Sequence, residues 1–206
     1  MTVMPSRTNE LDGRRLRSAR TRQLVIEAYM ELLRDNPAIP TAAQIAERAG
    51  YSVRSVFERF PDLHALRVAA VDYALAKGID QVWSAGPDGD RQARLKAHVE
   101  RRAHICEQWL PLWRALNMNK GDSKELEIRI RLIRGEIIRR IEVMYKPELS
   151  TLADVPRRQT VLAIEALIDF ESWGRMREFF GLSKQEVCAL WIRTIDRLLP
   201  PSPPDS

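Results

Sequence analysis

The stretch TAAQIAERAGYSVRSVFERF, residues 41–60, limits the fold more than any other part of this chain. Thr41 and Gln44 match a capping box, in which each side chain bonds the other residue's backbone amide at the start of a helix. Gly50 suits the left-handed position that ends a helix. Ser52 is a favoured capping residue for the helix that follows. The spacing therefore predicts two short helices joined by a tight turn.

Small side chains allow these two helices to cross closely. Ala46, Ala49 and Gly50 lie at the predicted crossing, and Val56 and Phe60 supply apolar surface on the second helix. This is the helix-turn-helix geometry, in which the second helix enters the major groove of DNA with its N-terminus first.

Apolar periodicity predicts helices over almost the whole chain, and no strand-like alternation is found. Pro111 is expected to kink or divide the helical stretch around it, and Gly86 to Asp90 to form a loop. The expected helices are 18–35, 41–50, 53–60, one from Asp62 to a point between Lys77 and Trp83, 90–110, 111–118, 123–145, 156–180 and 184–199.

Three segments resemble the TetR family of transcription regulators. They are TRQLVIEAYMELL at 21–33, IAERAGYS at 45–52, and SVFERF at 55–60, which PDLHAL follows. The resemblance is specific over about residues 18–78 and only architectural in the rest of the chain.

The resemblance implies an all-α fold of about nine helices. An N-terminal three-helix DNA-binding domain would be joined to a larger helical domain for ligand binding and dimerisation. The expected divisions are a basic flexible arm at 1–17, the DNA-binding domain at 18–78 with its motif at 41–60, the regulatory domain at 79–200 and a proline-rich tail at 201–206.

The resemblance also implies DNA-binding roles. Thr41 and Ser52 would each bind a phosphate at a helix N-terminus. Val53, Arg54 and Ser55 would face base edges from the first turn of the second helix. Arg54 is the candidate for a bidentate contact to guanine.

Further cations flank this motif. Glu58 and Arg59 lie one turn beyond Arg54 and would reach bases or backbone. The basic arm would lie along phosphates or enter the minor groove through Arg14, Arg15 and Arg17. The alternative for Arg54 and Arg59 is an ordinary solvated surface position.

The sequence departs from the family pattern at three positions. The usual tyrosine is Phe57, a candidate DNA-binding residue that keeps the ring but lacks the phosphate-binding hydroxyl, and burial in the core is the favoured alternative for it. The usual lysine is Leu63, and the usual acidic residue beside it is His64. We therefore expect binding that is weaker or depends more on the N-terminal arm.

All five tryptophans follow the DNA-binding segment. In the family resembled, the middle helices enclose a mostly apolar ligand cavity, and aromatic residues with one polar edge suit such pockets. The alternative is that these side chains only fill the core. The candidate lining residues are His98, Trp109, Trp113, Phe170 and Trp173, and the expected effector is apolar or aromatic.

The last two long helices carry more apolar positions than one buried stripe needs, and the resemblance implies that they form a homodimer. A two-fold dimer recognises a palindromic operator on double-stranded DNA. The expected function is a bacterial repressor released by a small-molecule effector, with the fourth helix as the lever. The alternative is a DNA-binding protein controlled by a protein partner or lacking such an effector.

The sequence gives little support for a metal protein, an enzyme or a membrane protein. Cys106 and Cys188 have no metal-ligand spacing. Glu100, His104 and Glu107 share a helical face, which a charged surface explains better than a metal site. No catalytic motif is found, so we expect no enzyme, cofactor or metal. Without a signal peptide or an apolar span, the expected location is the cytoplasm, away from membranes.

Overall fold

The computed structural model describes residues 7–36, 38–83, 88–119, 121 and 123–203, with side chains for all of these except 7–14, 79–83 and 119. The described residues are mainly helical and contain no strand, which confirms the all-α prediction. The helices are α1 Arg7–Asp35, α2 Ala42–Ala49, α3 Val53–Phe57, α4 Leu63–Trp83, α5 Arg91–Asn119, α6 Lys124–Met144, α7 Lys146–Leu149, α8 Asp154–Leu167, α9 Phe170–Gly174, continued by a π-helical turn Arg175–Phe179, and α10 Lys184–Leu198.

The chain forms two compact units. The first consists of the described residues up to Tyr73 and those of Arg114–Gly121, a segment that begins within α5. The second consists of Ala74–Trp113 and the chain from Asp122 onward. The division falls along α4, and the first unit also includes a segment from the middle of the chain.

The core of the first unit joins α1, α2, α3 and α4. Its fully enclosed side chains include Val25, Ile45, Val56, Phe60 and Leu66. Burial of one large aliphatic side chain contributes about 1.5–3 kcal/mol. This shared core therefore fixes α3 by one side and leaves its other side for solvent.

The capping signals around the turn between α2 and α3 form as the sequence predicts. Thr41 and Gln44 complete the capping box of α2, and Gly50 ends that helix at φ 73°. Ser183 and Glu186 complete a second box at the start of α10. Both boxes depend on residues three positions apart, which is why local sequence reveals them.

Three helix boundaries differ from the predictions. Residues 7–17, expected to precede the first helix, are helical and extend α1. The predicted third helix 53–60 ends at Phe57, where Arg59 and Phe60 both bond the Val56 carbonyl instead. The expected linker after α6 contains the short helix α7.

Pro111 does not divide α5, contrary to the expected break between 110 and 111. The residues around it, Trp109, Leu110, Leu112 and Trp113, are all buried. A proline inside a helix removes one backbone hydrogen bond and clashes with the preceding turn. The apolar contacts on both sides of Pro111 offset that cost, so the helix continues through it.

The predicted helix 156–180 is interrupted after Leu167. Asp169 adopts an extended conformation and accepts a hydrogen bond from the Glu171 amide at 3.2 Å, which starts α9. The Ile168 carbonyl lies just after the end of α8 and accepts a hydrogen bond from the Arg102 Nε–H at 2.8 Å. A tertiary partner therefore stabilises this break, and local sequence gives little sign of it.

None of the helices in the described part of the chain is long and apolar enough to cross a membrane.

Candidate nucleic-acid interface

Helix α3 presents its first turn to solvent. Ser52 caps it by accepting the Ser55 amide at 3.1 Å. Val56 is buried, whereas Val53 and Arg54 are exposed. One side of α3 is thus anchored in the core, and the predicted base-contacting side lies free at the helix N-terminus.

Arg54 is the most exposed of the candidate DNA-contacting cations with described partners, at 88% for its side chain. Its Nε donates to Glu58 Oε1 at 3.1 Å, and Arg59 lies 3.7 Å from the other Glu58 oxygen. An exposed i, i+4 ion pair on a helix contributes only about 0.3–0.5 kcal/mol. Arg54 therefore loses little when it leaves Glu58 for a base. Arg59 is only half-exposed.

The two predicted phosphate-binding residues already make capping bonds. The Thr41 amide donates to Gln44 Oε1 at 2.9 Å, and its hydroxyl donates to the same oxygen. The Ser52 hydroxyl accepts the Ser55 amide and lies 3.0 Å from the Ser55 hydroxyl. Both caps are exposed, so a phosphate at Thr41 has to replace the Gln44 side chain.

Helix α1 carries the basic residues expected of an arm. Arg15 and Arg17 are exposed and form no ion pair with the described part of the chain. The side chain of Arg14 lies outside the described residues. Arg22, seven positions after Arg15, covers the Phe60 ring with its guanidinium 4.8 Å from the centroid. Because Arg15 and Arg17 lie within α1, these two exposed cations project from a helix.

Phe57 is not a core residue, contrary to its expected role. It is 44% exposed on α3, because the hydrophobic side of this short helix is already formed by Val56. An exposed ring beside Arg54 and Val53 can pack on a sugar or a thymine methyl group. Leu63 and His64 are half-buried in the first turn of α4.

Sequence reasoning missed Tyr51, which lies in the turn between α2 and α3. Its side chain is at the margin of exposure, and its hydroxyl accepts the Thr21 hydroxyl at 3.4 Å. The available signal was an aromatic residue with a hydroxyl directly between Gly50 and Ser52. Arg48, in contrast, forms ion pairs with Asp35 at 2.8 Å and Glu31 at 3.7 Å, both on α1.

The five predicted ligand-lining residues of the second unit are all buried, but their side chains pack against different partners. Trp113 stacks on Phe170 with centroids 5.0 Å apart. Trp173 pairs instead with Trp191 at 5.5 Å. The His98 ring bonds the Tyr145 hydroxyl at 2.8 Å. Trp109 is the fifth, with its indole Nε1 buried and without a partner in the described structure.

His98 is held in its neutral form. Burial, followed by the nearby charges of Arg140 and Arg102, lowers the pKa of His98 to about 3. Its packing partner Tyr145 has a raised pKa, mainly because of burial. Neither ring is therefore charged at neutral pH, and the pair is a neutral contact between α5 and the end of α6.

We expect the stability of the folded chain to fall as the pH drops from 6.5 toward 5. The folded pKa of His98, about 3, lies below its ordinary value. The unfolded chain therefore binds an extra proton below about pH 6.5, and stability falls by about 1.4 kcal/mol per pH unit below about pH 6. Urea unfolding at pH 7 and 5.5 measures this. His98→Gln should flatten the slope, and an equal slope in both proteins would contradict the assignment.

Other reactive groups in the second unit are engaged or inert. Burial raises the pKa of the Cys106 thiol to about 11. Glu107, one of the three residues considered for a metal, pairs with Lys184 at 2.7 Å. Among the described residues, no group of three histidine, cysteine or acidic side chains is placed to hold a metal ion.

Solved structures with a similar fold are transcriptional regulators. A TetR-family transcriptional regulator from Streptomyces coelicolor has 19% identity and a TM-score of 0.73, over 87% of this chain and 80% of that one. A transcriptional regulator from Rhodococcus sp. Rha1 has 13% identity and a TM-score of 0.71, over 88% and 99%. A Rhodococcus sp. protein assigned to the TetR family has 17% identity and a TM-score of 0.65, over 88% and 99%. No protein-family model and no curated protein matches the sequence.

Proposed function

We propose that this chain, which has the fold of TetR-family transcriptional regulators, is a bacterial DNA-binding regulator that acts as a homodimeric repressor in the cytoplasm. The observation that carries the proposal is the position of α3, anchored through Val56 with Val53 and Arg54 exposed at its N-terminus. A recognition helix needs this arrangement, because its first residues contact base edges in the major groove.

The proposed contacts divide into two classes. Arg54 and Ser55 specify bases, with Arg54 donating to guanine. Thr41, Ser52 and the exposed cations Arg15 and Arg17 position the protein on phosphates. Neutralising phosphates releases counterions, so binding should weaken steeply as salt rises.

A mobility-shift salt series with the DNA that flanks the coding region, in excess non-specific competitor, tests this proposal. A complex that resists competitor and weakens linearly with log salt supports it. Binding no tighter than to random DNA on both flanks opposes it.

Exposed apolar side chains support dimerisation through the last helices. Phe179, in the turn after α9, is 80% exposed and packs edge-on against exposed Phe180. Val155 and Leu162 are exposed seven residues apart on α8, and Leu198 is exposed at the end of α10. Large exposed apolar residues near one another mark interaction surfaces. A second copy, related by two-fold symmetry, covers them in the proposed dimer.

Phe179→Glu should weaken dimerisation at least tenfold, because a carboxylate replaces an exposed ring at the interface and must be desolvated there. Its exposure means that the fold of the protomer should be kept. Analytical ultracentrifugation over a concentration series measures the dissociation constant. Leu16→Glu, at an exposed position on α1 in the first unit, is the matched control and should leave the constant unchanged. Equal constants for both variants would reject this interface.

Release by a small, apolar or aromatic effector in the second unit completes the proposed mechanism. The proposal places such a ligand beside the buried aromatic pair of Trp113 and Phe170, whose ring centroids are 5.0 Å apart. Residues of α4 belong to both units, which makes this helix the proposed lever. Coupling of about 1–3 kcal/mol would change operator affinity about 5–150-fold. The second candidate is a regulator that answers to a protein partner, which an effector-independent complex would favour.

A further inference from the structure

Arg102 on α5 is a buried cation without an anionic partner. It is 5% exposed. Its Nε donates to the Ile168 carbonyl at 2.8 Å, and its guanidinium carbon lies 4.4 Å from the centre of the Phe170 ring. Among the described side chains, no carboxylate lies within ion-pair distance of it, and its Nη2 has no acceptor.

Arg94, two turns earlier on the same helix, is a buried cation that does have an anionic partner. It is also buried, and its Nη2 donates to the Glu148 carboxylate at 2.5 Å. Burying a charge costs a large free energy unless an opposite charge or several hydrogen bonds compensate it. Arg102 has one carbonyl and one ring, so its compensation is incomplete.

The nearest acidic group does not supply the missing charge. Asp169 directly follows Ile168, and its Oδ2 accepts the Glu171 amide at 3.2 Å. Its Oδ1 is buried without a partner, yet no ion pair with Arg102 forms. A second cation lies near the same ring, since Arg140 and Arg102 both lower the pKa of neutral His98.

A second unused donor lies on the same face of α5. Trp109, seven residues after Arg102, is buried, and its indole Nε1–H has no acceptor in the described structure. Trp113 follows four residues later and stacks on Phe170, the ring that Arg102 covers. Residues at these spacings share one side of a helix. Arg102, Trp109 and Trp113 therefore share one side of α5, and Arg102 and Trp113 both contact the Phe170 ring.

We infer that the second unit binds an aromatic monocarboxylate, whose carboxylate accepts hydrogen bonds from Arg102 Nη2 and Trp109 Nε1 and whose ring packs near the Trp113–Phe170 pair. The inference rests on the proposed function only in making this ligand the effector. Charge-assisted hydrogen bonds to a carboxylate are about twice as strong as neutral ones. A site with a buried cation therefore favours the carboxylate over its neutral amide.

Thermal unfolding with matched probes tests the inference on the full chain. The probes are benzoate against benzamide, and indole-3-acetate against indole-3-acetamide, each to about 10 mM at constant ionic strength. Saturation by at least one carboxylate should raise Tm by about 5 °C or more, whereas its amide should not. Arg102→Met should lose the response, and Arg101→Met, at the neighbouring half-exposed position, should keep it.

Three results would overturn the inference: no shift with either carboxylate, equal shifts with carboxylate and amide, or an unchanged response in Arg102→Met. If Arg102→Met does not fold, the comparison of carboxylate with amide on the native protein still decides. Mobility shift on the same sample separates this site from the proposed function. DNA binding without a carboxylate response rejects only the anion site, and a carboxylate response without DNA binding rejects only the regulator.

Discussion

Arg94→Met should lower the free energy of unfolding by about 3–5 kcal/mol. The Glu148 carboxylate is fully buried, and Arg94 is the only cation that pairs with it in the described part of the chain. After the substitution, Glu148 keeps only the Ser202 hydroxyl at 2.6 Å. Removing one partner of a buried pair leaves an uncompensated charge, which costs this amount. Arg94 also donates to the Met144 and Gly89 carbonyls, which lose this donor as well.

Urea unfolding followed by circular dichroism measures the change, at one fixed protomer concentration because dimerisation would add to stability. Arg102→Met is the matched control, since it removes an equally buried cation that has no carboxylate. That variant should lose less stability than Arg94→Met, because it leaves the Ile168 carbonyl without its donor but strands no buried carboxylate. The double variant Arg94→Met with Glu148→Leu should recover most of the loss. Equal losses in the two single variants would show that the Arg94–Glu148 pair is not the cause.

Arg54→Ala should weaken binding to the operator by about 1–3 kcal/mol per protomer, or about 5–150-fold. Arg54 is exposed at the start of α3, and its only described partner is Glu58 at 3.1 Å. Folding stability should therefore change little. The loss should be confined to specific DNA, because a bidentate contact to guanine distinguishes one base pair from the others.

Mobility shift against the native operator and against random DNA separates these effects. Arg48→Ala is the matched control on the preceding helix, since Arg48 is held by Asp35 and Glu31. It should retain specific binding. If Arg54→Ala and Arg48→Ala bind the operator equally well, Arg54 does not contact a base.

Local signals account for what the sequence predicted well. The capping boxes at Thr41 and Ser183 and the left-handed Gly50 each depend on residues within one turn of the helix. The box at Thr41, Gly50 and the small residues at the helix crossing were sufficient to predict α2, the start of α3 and the turn between them. The all-α fold followed from the apolar periodicity of the rest.

Tertiary contacts explain what the sequence could not give. The break after α8 depends on Arg102, and residues 102 and 168 are 66 positions apart. The buried pair of Arg94 and Glu148 spans 54 positions. Phe57 is exposed because α3 is only five residues long and Val56 alone anchors it within that helix. The local pattern of apolar residues predicts neither which distant residues will pair nor that α3 will end after five residues.

Selection of DNA sites from a randomised duplex library by the native protein tests the central claim most directly. The account predicts enrichment of a two-fold symmetric sequence, with half-sites about 10–10.5 base pairs apart or a multiple of that spacing. The enriched site should be bound tightly in excess non-specific competitor. A library that remains random after several rounds, with binding that salt alone determines, would contradict the proposal that α3 recognises an operator.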